Sequence, residues 1–323
     1  MDDLQRLPIP TPFMVGRVNV YLVDDDPLTL VDTGPNSGKA LDELEQALAA
    51  HGRRVEDLER IVVTHQHVDH AGLLDVLVRR SGAEVCALDL LAPVLADFGN
   101  AMEADDVLAE ALMLRHGIAP DVVTVLRSIS KAFRAWGSTA EVSTPLTDGG
   151  TLGFANRTWA VHHRPGHSPS DTVFHDAERG VLIGGDHLLE RISSVPLISR
   201  SLDGSPDDPR PRALVAYLNS LRATQAMEHV DVVLPGHGDE VTGIQELIDA
   251  RIAMHERRAA KMLKLLGDGP MTAHEIARSM WRELSLTQAY LTLSEVLGHL
   301  DLLLDRRVIE EDFSGPVSVF RAR

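Results

Sequence analysis

Residues 64–70 read Thr64-His65-Gln66-His67-Val68-Asp69-His70 and follow directly on the apolar, β-type run Ile61-Val62-Val63. Four side chains able to bind a metal ion fall within six residues. A chain leaving a strand in a tight turn points alternate residues to one side. His65 and His67 then share one focus, and Asp69 and His70 a second one close by. Imidazole suits zinc, iron or manganese, and carboxylate suits the harder ions. A histidine-rich surface turn would need neither Asp69 nor the apolar strand before it.

Working outward, four other places have the same construction. Leu28–Val31 ends in Asp32-Thr33-Gly34, and Trp159–Val161 leads to Arg164-Pro165-Gly166-His167-Ser168. Val181–Ile183 ends in Gly184-Gly185-Asp186-His187, and Val232–Leu234 ends in Pro235-Gly236-His237-Gly238. Each apolar run delivers a His or Asp beside glycine, which lets backbone approach a crowded centre. One Pro-Gly-His is an ordinary turn; five such endings in order along one chain are not.

Together these motifs resemble those of the metallo-β-lactamase-fold hydrolases, over about residues 15–240. The resemblance implies an α/β protein, an αββα sandwich with metals at one edge of two packed sheets. Carried over position by position, it implies a first ion on His65, His67 and His167. A second would take Asp69, His70 and His237, with Asp186 bridging the two. Asp32 would orient ligand imidazoles from behind.

Two departures sort the branches. The class B1 lactamases carry cysteine where Asp186 stands, and the flavodiiron branch carries glutamate where His67 stands. The pattern with a bridging aspartate resembles glyoxalase II, the acyl-homoserine lactonases and the RNA-processing members. The implied cofactors are two divalent ions, Zn2+ first with Fe or Mn as alternatives, about 3.5–4 Å apart and sharing a bridging hydroxide. Asp69 is then catalytic as well as ligating, orienting that hydroxide. His187 has two readings, a second catalytic residue that reaches substrate or a packed, hydrogen-bonded histidine. His162 and His163 fill a strand, with one of them behind the ligands as the other reading. His51, His116, His175, His229, His255, His274 and His299 are not expected to be ligands.

The element order frames the motifs. An inserted pair or trio of helices is expected over about 97–136, with Leu108, Leu112, Val122, Val125, Leu126 and Ile129 packing. From about residue 243 the character changes. Helices over Gly243–Leu266, Thr272–Trp281 and Thr287–Leu304 precede two short β-runs, Val308–Glu310 and Val317–Phe320. Thr272-Ala273-His274-Glu275 has the capping-box pattern. Helix, helix, hairpin is the order of a winged-helix module, and this part is similar to the winged-helix domain of the animal β-lactamase-like endoribonuclease. Two domains are therefore expected, a catalytic one at 1–243 and a winged-helix-like one at 244–323.

Composition sets outer bounds. The 323 residues hold 31 basic and 48 acidic side chains, a net charge of −17. Such a surface repels phosphate backbones and anionic lipid. Residues 244–323 carry 11 basic and 12 acidic side chains against 20 and 36 in the body, so the tail lacks the basic face of a nucleic-acid reader. No apolar run approaches the roughly 18 residues of a membrane span. The single cysteine, Cys86, fits a reducing compartment. With an N-terminus lacking signal-peptide features, a cytoplasmic address is the default.

The leading expectation is a dinuclear metal-dependent hydrolase of a small ester-type substrate, a thioester or lactone. The alternatives are an endoribonuclease on single-stranded RNA, a mononuclear iron dioxygenase of persulfides, and a winged-helix regulator. A long, proline-rich stretch follows Asp186, of the kind that covers active sites. Its Arg191, Arg200, Arg210 and Arg212 either bind an anionic substrate group or are scattered loop charges. The tail either joins two copies as a homodimer or walls one side of the cleft.

Overall fold

The computed structural model describes residues 3–204, 210–281 and 286–323. Residues 205–209 of the proline-rich stretch and Met1-Asp2 of the N-terminus lie outside the described residues. The chain opens with β1 (Leu4–Ile9), β2 (Val18–Val23) and β3 (Thr29–Val31), then α1 (Gly38–Ala50), β4 (Arg60–Val62), α2 (Val68–Ala71), α3 (Leu74–Ser81) and β5 (Glu84–Leu88). Next come α4 (Ala92–Ala96), α5 (Phe98–Arg115), α6 (Pro120–Phe133), β6 (Thr144–Leu146), β7 (Thr151–Gly153), β8 (Thr158–His163), β9 (Thr172–Asp176) and β10 (Val181–Gly185). After these follow α7 (Ala213–Gln225), β11 (Val232–Pro235), α8 (Ile244–Leu266), α9 (Ala273–Met280), α10 (Ala289–Asp305), β12 (Ile309–Asp312) and β13 (Val319–Ala322).

Strands β1 to β6 form one sheet in chain order, and β11-β10-β9-β8-β7 form a second. In the first, β3, β4, β5 and β6 run parallel. In the second, β10 and β11 run parallel. The alternation of strand side chains explains the layers. Val31, Val62 and Cys86 of the first sheet meet Trp159, Phe174, Ile183 and Leu234 of the second in one buried core. On the outer face of the first sheet, Leu22, Leu30, Ile61 and Val85 pack against Ala40, Leu44 and Leu48 of α1 and Leu74 and Leu77 of α3. On the outer face of the second, Val173, Leu182 and Val233 pack against Leu214, Tyr217 and Leu221 of α7 and Ile244 and Ile248 of α8. Helix, sheet, sheet, helix is the expected layering, and Cys86 is a buried thiol inside it.

The insertion resolves into α5 and α6. Leu112 and Leu126 are buried as expected, but Val125 is exposed and the buried residue is Val123, half a turn away. The capping box is present, with Glu275 N–H donating to Thr272 Oγ1 and Thr272 N–H donating to the Glu275 carboxylate. Residues beyond 243 share their core with the rest of the chain. Met262, Ile276, Leu297 and Phe320 pack with Leu112 and Val123 of the insertion, and Leu302 packs with Leu214 and Tyr217. Among the described residues, no helix is long and apolar enough to cross a membrane.

Candidate metal centre

The five motif endings converge because the strands that carry them end on one edge of the sandwich. β3 delivers Asp32, β4 leads through His65 and His67 into α2 with Asp69 and His70, β10 delivers Asp186, and β11 delivers His237. His167 lies in the connection between β8 and β9. Backbone bonds tie the endings together: Thr33 N–H donates to His70 O at 2.7 Å, Thr172 N–H to Thr64 O at 3.0 Å, and Gly236 N–H to Gly185 O at 2.6 Å.

Three groups of possible ligand atoms result: His65, His67 and His167; Asp69, His70 and His237; and His65, His70 and Asp186. His67 Nδ1 lies 3.1 Å from His65 Nε2 and 3.0 Å from His167 Nε2. Asp186 faces both sides, with its carboxylate oxygens 3.5 Å from the Nε2 atoms of His70, His167 and His237. Asp69 Oδ2 is 3.3 Å from His237 Nε2. His65, Asp69, His70, Asp186 and His237 are buried, while His67 and His167 are only partly so and mark the open side.

The outer ring nitrogens fix which atoms face the centre. His70 Nδ1 lies 2.7 Å from Asp32 Oδ2, His167 Nδ1 3.1 Å from Val195 O, and His237 Nδ1 2.8 Å from Arg17 O. His65 Nδ1 lies 3.0 Å from Thr64 Oγ1, whose hydroxyl donates to Asp32 Oδ2 at 2.9 Å. Each of these imidazoles donates from Nδ1 to its outer partner and turns Nε2 towards the centre. Asp32 thus sits behind one ligand from each group, and it holds a left-handed backbone, φ 61°.

A metal pair fits this donor set. His67 Nδ1 cannot donate to both neighbouring Nε2 atoms at once, so lone pairs converge. Ligand nitrogens on a tetrahedral zinc ion stand about 3.4 Å apart at Zn–N distances near 2.1 Å, within a few tenths of an ångström of the spacing here. His70 Nε2 and Asp186 Oδ1 are buried with no hydrogen-bond partner. Burial keeps His65 neutral and holds the His67 imidazole down to about 3. Burial acts to raise Asp186, but the facing His237 and His70 pull it well below the usual carboxylate range. Burial likewise acts against His70, yet Asp186 and Asp32 hold its pKa well above the usual value. The centre is shaped for positive charge.

The remaining expectations divide. His187 belongs to no ligand group. It is buried, and its Nε2 lies 2.9 Å from Thr224 Oγ1 on α7, a contact that the packed, hydrogen-bonded reading expects. His163 Nε2 bonds to Pro169 O. Of the loop arginines, Arg210 is buried between Asp301 at 2.6 Å and Glu311 at 3.0 Å. It is a structural ion pair, not a substrate contact. Arg200 pairs with Asp105, Arg212 with Asp305, and the exposed Arg191 with Asp239. His255 and His299, not expected as ligands, form a further buried group with Glu295. Their rings bond each other at 3.1 Å and Arg258 takes Glu295, while His255 Nε2 is buried with no hydrogen-bond partner.

Residues not singled out from the sequence hold the last motif. Asn19 Nδ2 donates to Pro235 O and Gly238 O, both at 2.9 Å, and Tyr21 Oη donates to Pro235 O at 2.8 Å. A polar Asn19 within the apolar Val18–Val23 strand was the available signal.

Comparison with known proteins agrees with this fold. The family model described as the metallo-beta-lactamase superfamily matches residues 14–237. The probable metallo-hydrolase YqjP of Bacillus subtilis is 33% identical over 321 residues, 99% of this chain and 98% of that protein. The acyl-coenzyme A thioesterase MBLAC2 of Homo sapiens is 26% identical over 239 residues, 69% of this chain and 73% of that protein. The crystal structure of a metallo-beta-lactamase family protein from Thermus thermophilus superposes with a TM-score of 0.81 at 28% identity, covering 100% of this chain and 99% of the other.

Proposed function

The chain belongs to the metallo-beta-lactamase superfamily of metal-dependent hydrolases, and from that premise we propose that it is a dinuclear hydrolase of small thioesters. The observation that carries this reading is Asp186, whose carboxylate lies 3.5 Å from ligand nitrogens of both three-residue groups. Two complete groups favour two ions over the single iron of a dioxygenase. His65, His67 and His167 would hold one ion, Asp69, His70 and His237 the other, and Asp186 both. A nitrogen-rich set with carboxylates suits zinc.

Divalent ions bound there supply Lewis acidity and an acidified water as nucleophile. The chain's own residues do the rest. The His237 bond and the His70 charge favour an ionised Asp69 against its burial, the form that would ligate an ion and orient its water. His67 and His167 leave the approach open on their side, and Asp32 and Thr64 lock the rings behind.

The thioester is preferred to a lactone because the chain is similar to an acyl-coenzyme A thioesterase. The acidic body, 20 basic against 36 acidic residues, counts against RNA. For the tail we propose a winged-helix-like unit of α9, α10 and the β12–β13 hairpin, and the one buried cysteine suits the cytoplasm. A parallel screen of acyl thioesters, lactones and single-stranded RNA tests the reading. Thioester turnover lost in His67→Ala supports it; RNA cleavage with no ester turnover refutes it.

A further inference from the structure

The loop after β10 touches two residues of the centre, Asp186 and His167. Ser194 Oγ donates to the Asp186 carbonyl. His167 Nδ1 donates to Val195 O at 3.1 Å, and Leu197 N–H donates to His167 O at 3.3 Å. His167 is therefore held at ring and backbone by residues 195–197, a stretch with no helix or strand of its own.

That stretch is in turn held by the C-terminal helices. Arg251 of α8 places Nη2 3.1 Å from Leu189 O, 3.0 Å from Glu190 O and 3.0 Å from Ile192 O. Among the described residues, Arg251 makes no carboxylate ion pair. At the far end, Ile198 N–H donates to Ser294 Oγ at 3.3 Å, and Tyr290 Oη donates to Ile198 O at 2.5 Å, both from α10. The loop is thus tethered on either side of the residue that orients His167.

We propose that Arg251 is a positioning residue of the metal centre, acting through the 189–198 loop to hold His167, so that the C-terminal segment governs the first ion site and not the second. This rests on reading the cluster as a metal centre. The asymmetry follows from the anchors. His70 is held by Asp32 and His237 by Arg17 O, and neither anchor touches the loop. Without Arg251, three carbonyls lose their donor, Val195 O drifts, and the His167 ring loses its fixed acceptor. Outer partners of ligand histidines typically alter metal affinity about 10- to 100-fold.

The test is a chelator-competition titration with Zn2+ on the full-length wild type, Arg251→Ala, Arg251→Lys and Tyr290→Phe, with far-UV spectra alongside. Arg251→Ala should weaken one of two sites about 10-fold or more and leave the other unchanged. Lysine, with three donors for three carbonyls, should restore most of the affinity, and Tyr290→Phe should weaken the same site less. Histidine ring 15N spectra should show the His167 signals moving while those of His70 stay. Unchanged affinities in Arg251→Ala, or equal loss at both sites, overturn the proposal. If Arg251→Ala fails to fold, an unaltered first site in Tyr290→Phe overturns it. A wild type that binds no Zn2+ overturns instead the metal-centre reading beneath it.

Discussion

Asp32 Oδ2 lies 2.7 Å from His70 Nδ1 and also accepts the Thr64 hydroxyl that backs His65. One carboxylate, at the end of β3 and outside every ligand group, therefore sets one imidazole on each side of the centre. Its other oxygen accepts Thr64 N–H at 2.9 Å.

Asp32→Asn tests that relationship. Asparagine tolerates the left-handed backbone, so the fold should survive. Its amide cannot accept from His70, Thr64 Oγ1 and Thr64 N–H together. Zinc affinity should fall about 10- to 100-fold, measured by chelator competition, with an unchanged far-UV spectrum. Wild-type affinity would remove Asp32 from the account.

Gly236→Ala should disable the centre by crowding. A methyl there would lie 2.3 Å from Asp186 Oδ1 and 2.6 Å from His70 Cε1. Displacement of this order can lower turnover about 100-fold. Overpacking should cost about 1–3 kcal/mol of stability. Turnover and a urea melt separate the two effects; full activity contradicts the close packing around Asp186.

Arg210→Ala should be destabilising by about 3–5 kcal/mol, because it leaves Asp301 and Glu311 buried without their cation. Arg191, 78% exposed, should tolerate alanine within about 0.5 kcal/mol. Equal denaturation midpoints for the two variants would contradict the assignment of Arg210 to structure.

Acid should destabilise the metal-free protein through His116 and His255. Burial, aided by Arg210 beside the first and His299 beside the second, holds both imidazoles down to about 3. In the unfolded chain they titrate near 6.5. Below that, the unfolded state takes protons that the fold refuses, so stability present above pH 6.5 is lost as the pH falls towards 3. Each contributes a slope of up to about 1.4 kcal/mol per pH unit. Burial pushes Asp301 up to about 6 despite Arg210. It opposes them, adding stability at low pH that is lost as the pH rises through about 6. His116→Gln and His255→Gln should each flatten the wild-type slope between about pH 6 and pH 4 by one histidine's share, read from urea denaturation at each pH. An unaltered slope would contradict the buried neutral state.

The sandwich and the His and Asp residues gathered at its edge were legible because apolar runs hand a His or Asp to a turn, so strand and side chain are adjacent in the sequence. β1 was not, since Arg6 and Pro8 interrupt its apolar pattern, and β6 and β7 span three residues each. The apolar pattern points to Val125 where the structure buries Val123, because a helical face shifts by half a turn over two residues. Arg210 looked like a loop charge because its partners lie 91 and 101 residues away. The clamp of Arg251 on carbonyl oxygens has no side-chain signature at all, since every residue carries that acceptor.

The central claim is that this chain builds a site for two ions bridged by Asp186. Elemental analysis of the purified wild type alongside His67→Ala tests it most directly. The account predicts close to two divalent ions per wild-type chain, and about one in His67→Ala, whose Asp69, His70 and His237 group is untouched. One iron per wild-type chain, or no bound metal, would contradict it.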